Sequence, residues 1–307
     1  MFKKSPIVLG TLLTTLAVCS TALAQGAGDR YVRDSLKTLL AVNTIECEIR
    51  IETFVDGRRY TARGRYEEQA LPRMVPEQPT PFLRSMYRLD VFFPPNPSMA
   101  NNAGSNRMTL VCRPGTNGGG GLVEQRTSIE GVQSFSMVDL TRLEERLRET
   151  NMELFFNQVS EVRNLGGLAG MMRQISRFYE FSLFTQENLQ DEEAIPALKL
   201  TGQLRSVFYR ELLPRFGGLD KRGHYPEDFP SDIELWLGRH NDFPYKVRYL
   251  RRVSEGAERK ELLLQETFFN VIVNGTPIPA SRFDPLTPPE NIIGVDVTDR
   301  FIGELGL

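Results

Sequence analysis

The residues able to do covalent or metal chemistry are few and badly spaced for it. The 307-residue chain has two histidines, His224 and His240, each among turn-forming residues. A zinc-type centre gathers three or four His, Cys or carboxylate ligands at short spacing. Cys47 and Cys112 lie far from either histidine and from each other. No G-x-S-x-G or S-x-x-K is present, and no Cys–His–Asn pattern, so nothing points to an activated nucleophile. Gly118-Gly119-Gly120-Gly121 lacks the Lys-Ser/Thr and following helix of a phosphate-binding loop and reads as a flexible hairpin tip. Glu192-Glu193 reads as a loop tip rather than the facing carboxylates a glycosidase needs. The expectation is a non-enzymatic protein without cofactor or metal; a hydrolase with an unfamiliar site is the least favoured reading.

The chemistry that remains is apolar binding. Apolar residues alternate with charged ones in several runs: Ile45, Cys47, Ile49 and Ile51; Tyr87, Leu89, Val91 and Phe93; Ile233, Leu235 and Leu237. A period of two marks strands with one dry face. Leu140–Leu147, Met152–Val162 and Leu168–Phe178 instead repeat at helical spacing, as do Val32, Leu36 and Leu39. Flexible methionines beside aromatics adapt to varied apolar partners. Candidate ligand-binding residues are therefore Ile49, Ile51, Leu89, Val91, Phe155, Phe156, Met171, Met172, Leu235 and Leu237. Ordinary core packing is the alternative for every one of them. The bulk charge of −2 argues against nucleic acid or an anionic membrane surface as partner.

The elements that must position these residues are mostly antiparallel strands. Asp56-Gly57 is a hairpin turn between a strand from Ile45 and a return strand Tyr60–Glu67. Strands are expected at Arg107–Arg113, through Leu122–Ser136, and at Tyr179–Thr185, Ala197–Gly202 and Leu204–Glu211. Asn241-Asp242-Phe243-Pro244 joins the Ile233 and Tyr245 runs, and Leu262–Val273 follows. The Pro-punctuated end is expected as a long extended edge. Asp29 is the expected N-cap of the first helix.

The C-terminal stretch also resembles a known family. Leu235-Trp236, then Pro244-Tyr245-Lys246-Val247-Arg248-Tyr249, Phe269-Asn270-Val271 with Asn274, Phe283, Pro288-Pro289 and Asp296-Val297-Thr298 follow, in order and spacing, the bacterial lipoprotein-carrier proteins (LolA/LolB-like, with related lipid-binding lipoproteins). The N-terminal helix, charged strand and D-G hairpin with Gly64-Arg65-Tyr66 agree. The chain departs at Leu71-Pro72, where many carriers place a basic residue before the proline, so no basic binding residue is carried over. The resemblance implies an α+β fold: a curved antiparallel sheet of about ten or eleven strands forming an open half-barrel, with helices covering its concave face. It also implies binding of a lipid, a lipoprotein acyl chain or another apolar ligand in a cavity between sheet and helices. A structural or protein-binding envelope module with a filled cavity is the alternative.

Residues 1–24 read as a signal peptide. Lys3-Lys4 form the charged start, Ile7–Val18 the apolar run, and Ala22-Leu23-Ala24 the cleavage signal before Gln25. Lipid attachment at Cys19 is disfavoured because Val18 precedes it. Residues 25–307 are expected as one exported domain, soluble in the periplasm or cell envelope, whose membrane contact is transient or through such an anchor. An envelope protein partner has no sequence signature here. Cys47 and Cys112 are either bridged or two separate buried thiols.

Overall fold

The structure is a computed structural model. It describes residues 28–55, 58–71, 85–94, 106–114, 121–129, 131–150, 166–189, 194–214, 216–254 and 256–304. The expected signal peptide with Cys19 and the cleavage point, the Asp56-Gly57 turn, Pro72–Pro81, Gly118-Gly119-Gly120, Phe155, Phe156 and Glu192-Glu193 lie outside these residues.

Twelve strands are described: β1 (Thr44–Val55), β2 (Arg58–Ala70), β3 (Ser85–Phe93), β4 (Asn106–Pro114), β5 (Gly121–Ile129), β6 (Val132–Asp139), β7 (Tyr179–Leu189), β8 (Ile195–Leu204), β9 (Asp232–Gly238), β10 (Pro244–Arg252), β11 (Lys260–Val273) and β12 (Val295–Asp296). The helices are α1 (28–41), α2 (Leu140–Thr150), α3 (Gly167–Phe178), α4 (Ser206–Leu212) and α5 (Thr298–Glu304). The chain divides into two compact units: residues 38–174 with 262–307, and residues 175–261 with 28–37 from the N-terminal side.

In the larger unit the hydrogen-bonded order is β12-β6-β5-β4-β3-β2-β1-β11. Every pair is antiparallel except the two-residue β12, which runs parallel to β6. The end strands do not meet, so the sheet is open, as expected of an antiparallel half-barrel in an α+β fold. β1 and β2 pair from Thr44↔Gln69 to Val55↔Arg58, leaving a two-residue connection between them. β5 and β6 form a hairpin of their own, turned at Gly131 with φ +82°. Between Glu46 and Glu48 the β1–β11 register slips, and Asn270 takes a left-handed φ of +52° while its side-chain amide donates to Glu48 (2.9 Å). That is a β-bulge built on an Asn, a residue that tolerates this conformation.

The end of the chain departs from the expected extended edge. Ala280–Phe283 is a 3₁₀ turn, β12 is a two-residue bridge, and α5 closes the described chain. Phe283 and Leu286 are buried, and Leu286 packs with Val111 and Phe135. Prolines interrupt any ladder, so the segment crosses the sheet face instead of extending it. Asp296 accepts from the Thr298 amide (2.9 Å) and hydroxyl (2.5 Å) at the start of α5, while Arg142 of α2 binds Asp296 (2.7 Å) and Asp299.

The smaller unit has the order β10-β9-β8-β7. Its β9–β10 turn is held by Asn241 Oδ1, which accepts from the Phe243 amide, and by Asp242 at φ +52°. Asp29 lies inside α1 rather than capping it. Its carboxylate accepts from the Phe181 amide (3.0 Å) and from Arg205 (3.2 Å). The strand expected at Leu204–Glu211 is mostly helix, α4. Its β-branched and aromatic residues have strand propensity, but helical geometry brings Phe208 against Phe178 (4.7 Å) and Tyr209 against Tyr225 and Phe229 (both 5.9 Å). Aromatic burial outweighs a propensity difference of a few tenths of a kcal/mol per residue.

Candidate functional site

The β2 strand carries two adjacent glutamates, and the pleat sends them to opposite faces of the larger sheet. Glu67 binds Arg282 (2.7 Å) and Arg65 (3.1 Å) on one face. Glu68 enters the other face, level with Ile45 of β1 and Tyr87 of β3. Along that face stand Ile49, Gly64, Tyr66, Leu89, Val91, Leu110, Cys112 and Phe268, brought level by the β1–β4 and β11 registers. It is the dry face that the alternation in β1 and β3 requires.

Here the face and the first turn of α3 flank a small, partly open cavity. Ile49, Tyr66, Tyr87, Leu89 and Phe268 line it from the sheet, with the Glu266 carboxylate; Gly167, Leu168 and Met171 line it from the helix. Its volume is about 20 Å³, room for about one water molecule. The Tyr66 and Tyr87 rings stack at 6.1 Å with planes 24° apart.

Glu68 ties the helix to the sheet. Its carboxylate accepts from the Tyr66 hydroxyl (2.6 Å), the Ser85 hydroxyl (2.5 Å) and the Leu168 amide (3.0 Å). The last is one of the orphan N–H groups at a helix start, so α3 is capped by a residue a hundred positions away. The first turn of α3 contains no acid of its own. Gly167 is required for this approach. Its φ is +63°, and a Cβ there would lie 2.4 Å from a Glu68 oxygen. Burial raises the Glu68 pKa, and the three hydrogen bonds only partly oppose that. Burial likewise raises the Tyr66 hydroxyl well above its ordinary value, with Glu68 adding to it.

Cys47 and Cys112 are both buried free thiols. Cys47 pairs with Tyr66 and Cys112 with Tyr87, so β2 and β3 lie between their strands. Three strand spacings are roughly 14 Å, about twice the Cα separation a disulfide tolerates. The two separate thiols, not the bridge, are what the structure contains. Burial pushes the Cys112 thiol up to about 12 and Cys47 higher still, so neither is a ready thiolate.

Of the residues singled out from sequence, Ile49, Leu89 and Met171 meet around this cavity. Val91 and Met172 are fully buried, and Ile51 is half-buried and level with Glu266, but none of the three lines it. Leu235 and Leu237 are fully buried on β9 of the smaller unit. Phe155 and Phe156 are outside the described residues. Sequence reasoning missed Tyr66, Tyr87, Gly167, Leu168, Glu266 and Phe268. The available signal was a carboxylate, Glu68, at the same parity of β2 as Gly64 and Tyr66. Among the described residues no group of His, Cys, Asp and Glu could hold a metal ion, and no helix is long and apolar enough to cross a membrane.

No family model and no curated protein matches this chain. Among solved structures it is similar to a DUF1329 family protein from Desulfovibrio piger (9% identity, TM-score 0.34, covering 84% of this chain and 96% of that one). It is also similar to the lipoprotein LppX from Mycobacterium tuberculosis (11% identity, TM-score 0.37, 82% and 97% covered). A third is a putative outer membrane lipoprotein-sorting protein domain from Vibrio parahaemolyticus (8% identity, TM-score 0.34, 84% and 97% covered).

Proposed function

We propose that this chain is an exported, non-enzymatic binding protein that holds an acyl chain, from a lipid or a lipoprotein, against the dry face of its larger sheet. The observation that carries the reading is the cavity itself. It is apolar on the sheet side through Ile49, Leu89 and Phe268, and its helical wall ends in the flexible Met171. The C-terminal resemblance to lipoprotein carriers supports the same reading. Lys3-Lys4, Ile7–Val18 and Ala22-Leu23-Ala24 support export with cleavage before Gln25.

At about 20 Å³ the cavity does not admit an acyl chain as it stands. Loading requires the first turn of α3 to lift off the sheet. One hydrogen bond, from the Leu168 amide to Glu68, and the Gly167 contact tie that turn to β2, a set small enough for ligand burial at about 0.8 kcal/mol per CH₂ to offset. The same volume favours a second reading, a structural or protein-binding envelope module whose interior is filled.

Binding of a neutral apolar fluorophore to the delipidated protein separates the two. Saturable binding, displaced by a long-chain acyl compound and lost in a folded Met171→Glu variant, is the expected result. Absence of binding favours the filled module. Intact mass beginning at Gln25 is expected for protein recovered from the envelope, whereas a diacylated species beginning at Cys19 would make it a tethered lipoprotein.

A further inference from the structure

The face that carries the cavity does not stay dry across the sheet. The registers bring Leu89 of β3 level with Leu110 of β4, Leu110 with Gln125 of β5, and Gln125 with Ser136 of β6. Two residues along each strand, Val91, Met108, Thr127 and Ser134 form a second such row. Both rows begin at buried residues of β3 and end in neutral hydrogen-bonding side chains. Gln125, Thr127 and Ser136 are half-exposed and Ser134 is exposed. Two strand spacings, from β3 to β5, are roughly 10 Å.

The charges of these strands lie on the opposite face. Arg107 binds Asp90 (2.7 Å), Arg113 binds Glu124 (2.8 Å), and Arg126 donates to the Thr287 carbonyl of the C-terminal segment (3.4 Å). The positions of β4, β5 and β6 that share the cavity face hold no Asp, Glu, Lys or Arg. The polar groups they do hold keep hydrogen-bonding capacity. The Thr127 and Ser134 hydroxyls meet at 2.5 Å, which uses one donor between them, and each oxygen has two lone pairs. The Gln125 amide nitrogen meets the Met108 sulfur at 3.6 Å, and a thioether is a weak acceptor.

Resting on the function proposed above, we infer that Gln125, Thr127, Ser134 and Ser136 form a head-group subsite, and that the ligand is an acyl ester whose head bears hydroxyls, as in an acylglycerol. An acyl chain lying against Ile49 and Leu89 and running across the strands brings its ester end to β5 and β6. An apolar head there would cover the amide and hydroxyls without replacing their water, which costs free energy. A glycerol hydroxyl both donates and accepts, so it can replace that water at each of the four side chains. Burial of the chain supplies most of the affinity, while a few placed polar groups fix which end points toward β6.

The test uses the delipidated full-length mature protein loaded with neutral N-phenyl-1-naphthylamine at neutral pH. Monolaurin and methyl laurate, each below its aggregation limit, are compared as displacers. They share one uncharged acyl ester and differ in the two glycerol hydroxyls. Two double variants are compared with the parent, Thr127→Val with Ser134→Ala, and Gln125→Leu with Ser136→Ala. Monolaurin is expected to weaken roughly fivefold for each hydrogen bond lost, while methyl laurate stays within about twofold of its parent value and so shows that the acyl site is still folded. Monolaurin unchanged in both folded variants, or both esters weakened alike in both, overturns the head-group subsite while leaving acyl binding intact. Displacement of the probe from the parent by neither ester overturns the acyl-binding reading together with this one.

Discussion

The two faces of the larger sheet bury carboxylates in opposite ways. On the cavity face Glu68 is surrounded by neutral donors, Tyr66, Ser85 and the Leu168 amide. On the other face Asp90 accepts from Arg88 (2.6 Å), Arg107 (2.7 Å) and Thr109 (2.7 Å), with Arg282 at 3.6 Å. Burial raises both acids. At Asp90 the charged donors overcome it and hold the pKa at about 2, while at Glu68 neutral hydrogen bonds do not, and the pKa stays raised. Burial alone therefore does not set the charge state of an interior acid; the charge of its donors does. One face is fastened by charge and the other kept low in charge, which suits a fixed C-terminal strap on the first and a yielding helix on the second.

The largest way to break this comparison is at Asp90. Asp90→Ala leaves Arg88 and Arg107 without their shared acceptor, and is expected to cost about 3 kcal/mol in urea unfolding. A cost below about 1 kcal/mol would mean that the ionic face is solvated and idle. Next comes Gly167→Ala. The added Cβ collides with the Glu68 carboxylate and meets an unfavourable φ. We expect a loss of about 2 kcal/mol and faster hydrogen exchange at Leu168. Exchange unchanged there would remove α3 as the movable wall.

The smallest effect, and the one that sharpens the comparison most, is in pH dependence. Asp90, depressed in the folded state, contributes stability that is present above about pH 4 and is lost as pH falls from 3.8 through about 2. Glu68, raised in the folded state, binds its proton more tightly when folded. Its contribution is therefore fully present below pH 4.5 and is lost as pH rises through the raised folded value. Glu68→Gln retains the acceptor for Tyr66 and Leu168 and can donate to Ser85. It is expected to be at least as stable as the parent at pH 7 and to lose that advantage near pH 4 in chemical-denaturation series. The reverse trend would mean that Glu68 is stabilised as an anion.

Much of the larger sheet was readable from alternation, because a strand with one dry face must repeat every two residues. The β1 and β3 runs follow that rule, and Ile49 and Leu89 reach the cavity through it, while Met171 reaches it through the helical spacing of α3. The failures have physical reasons as specific as the successes. Ser206–Leu212 has strand-like residues, yet aromatic packing onto Phe178, Tyr225 and Phe229 makes it helical. The prolines after Asn274 argued for an extended edge, whereas burial of Phe283 and Leu286 folds that segment across the sheet.

Residues that carried the family resemblance turn out to hold architecture. Asn270 makes the β11 bulge, and Asn274 accepts from the Asn43 amide (2.7 Å) at φ +53°. Asp296 caps α5, and Trp236 lies under the cations of Lys199, Lys246 and Arg248. By itself the sequence determined the strand periods, the turn chemistry and the lack of a recognisable catalytic or metal-binding motif, since each of these is local in the chain. Only the tertiary structure decided that Glu68 caps a helix a hundred residues on, that Cys47 and Cys112 stand three strand spacings apart, and that Glu266 lines the same cavity as Ile49. Those outcomes depend on strand order and register, which are set by long-range pairing and leave no periodic mark on the residues they bring together.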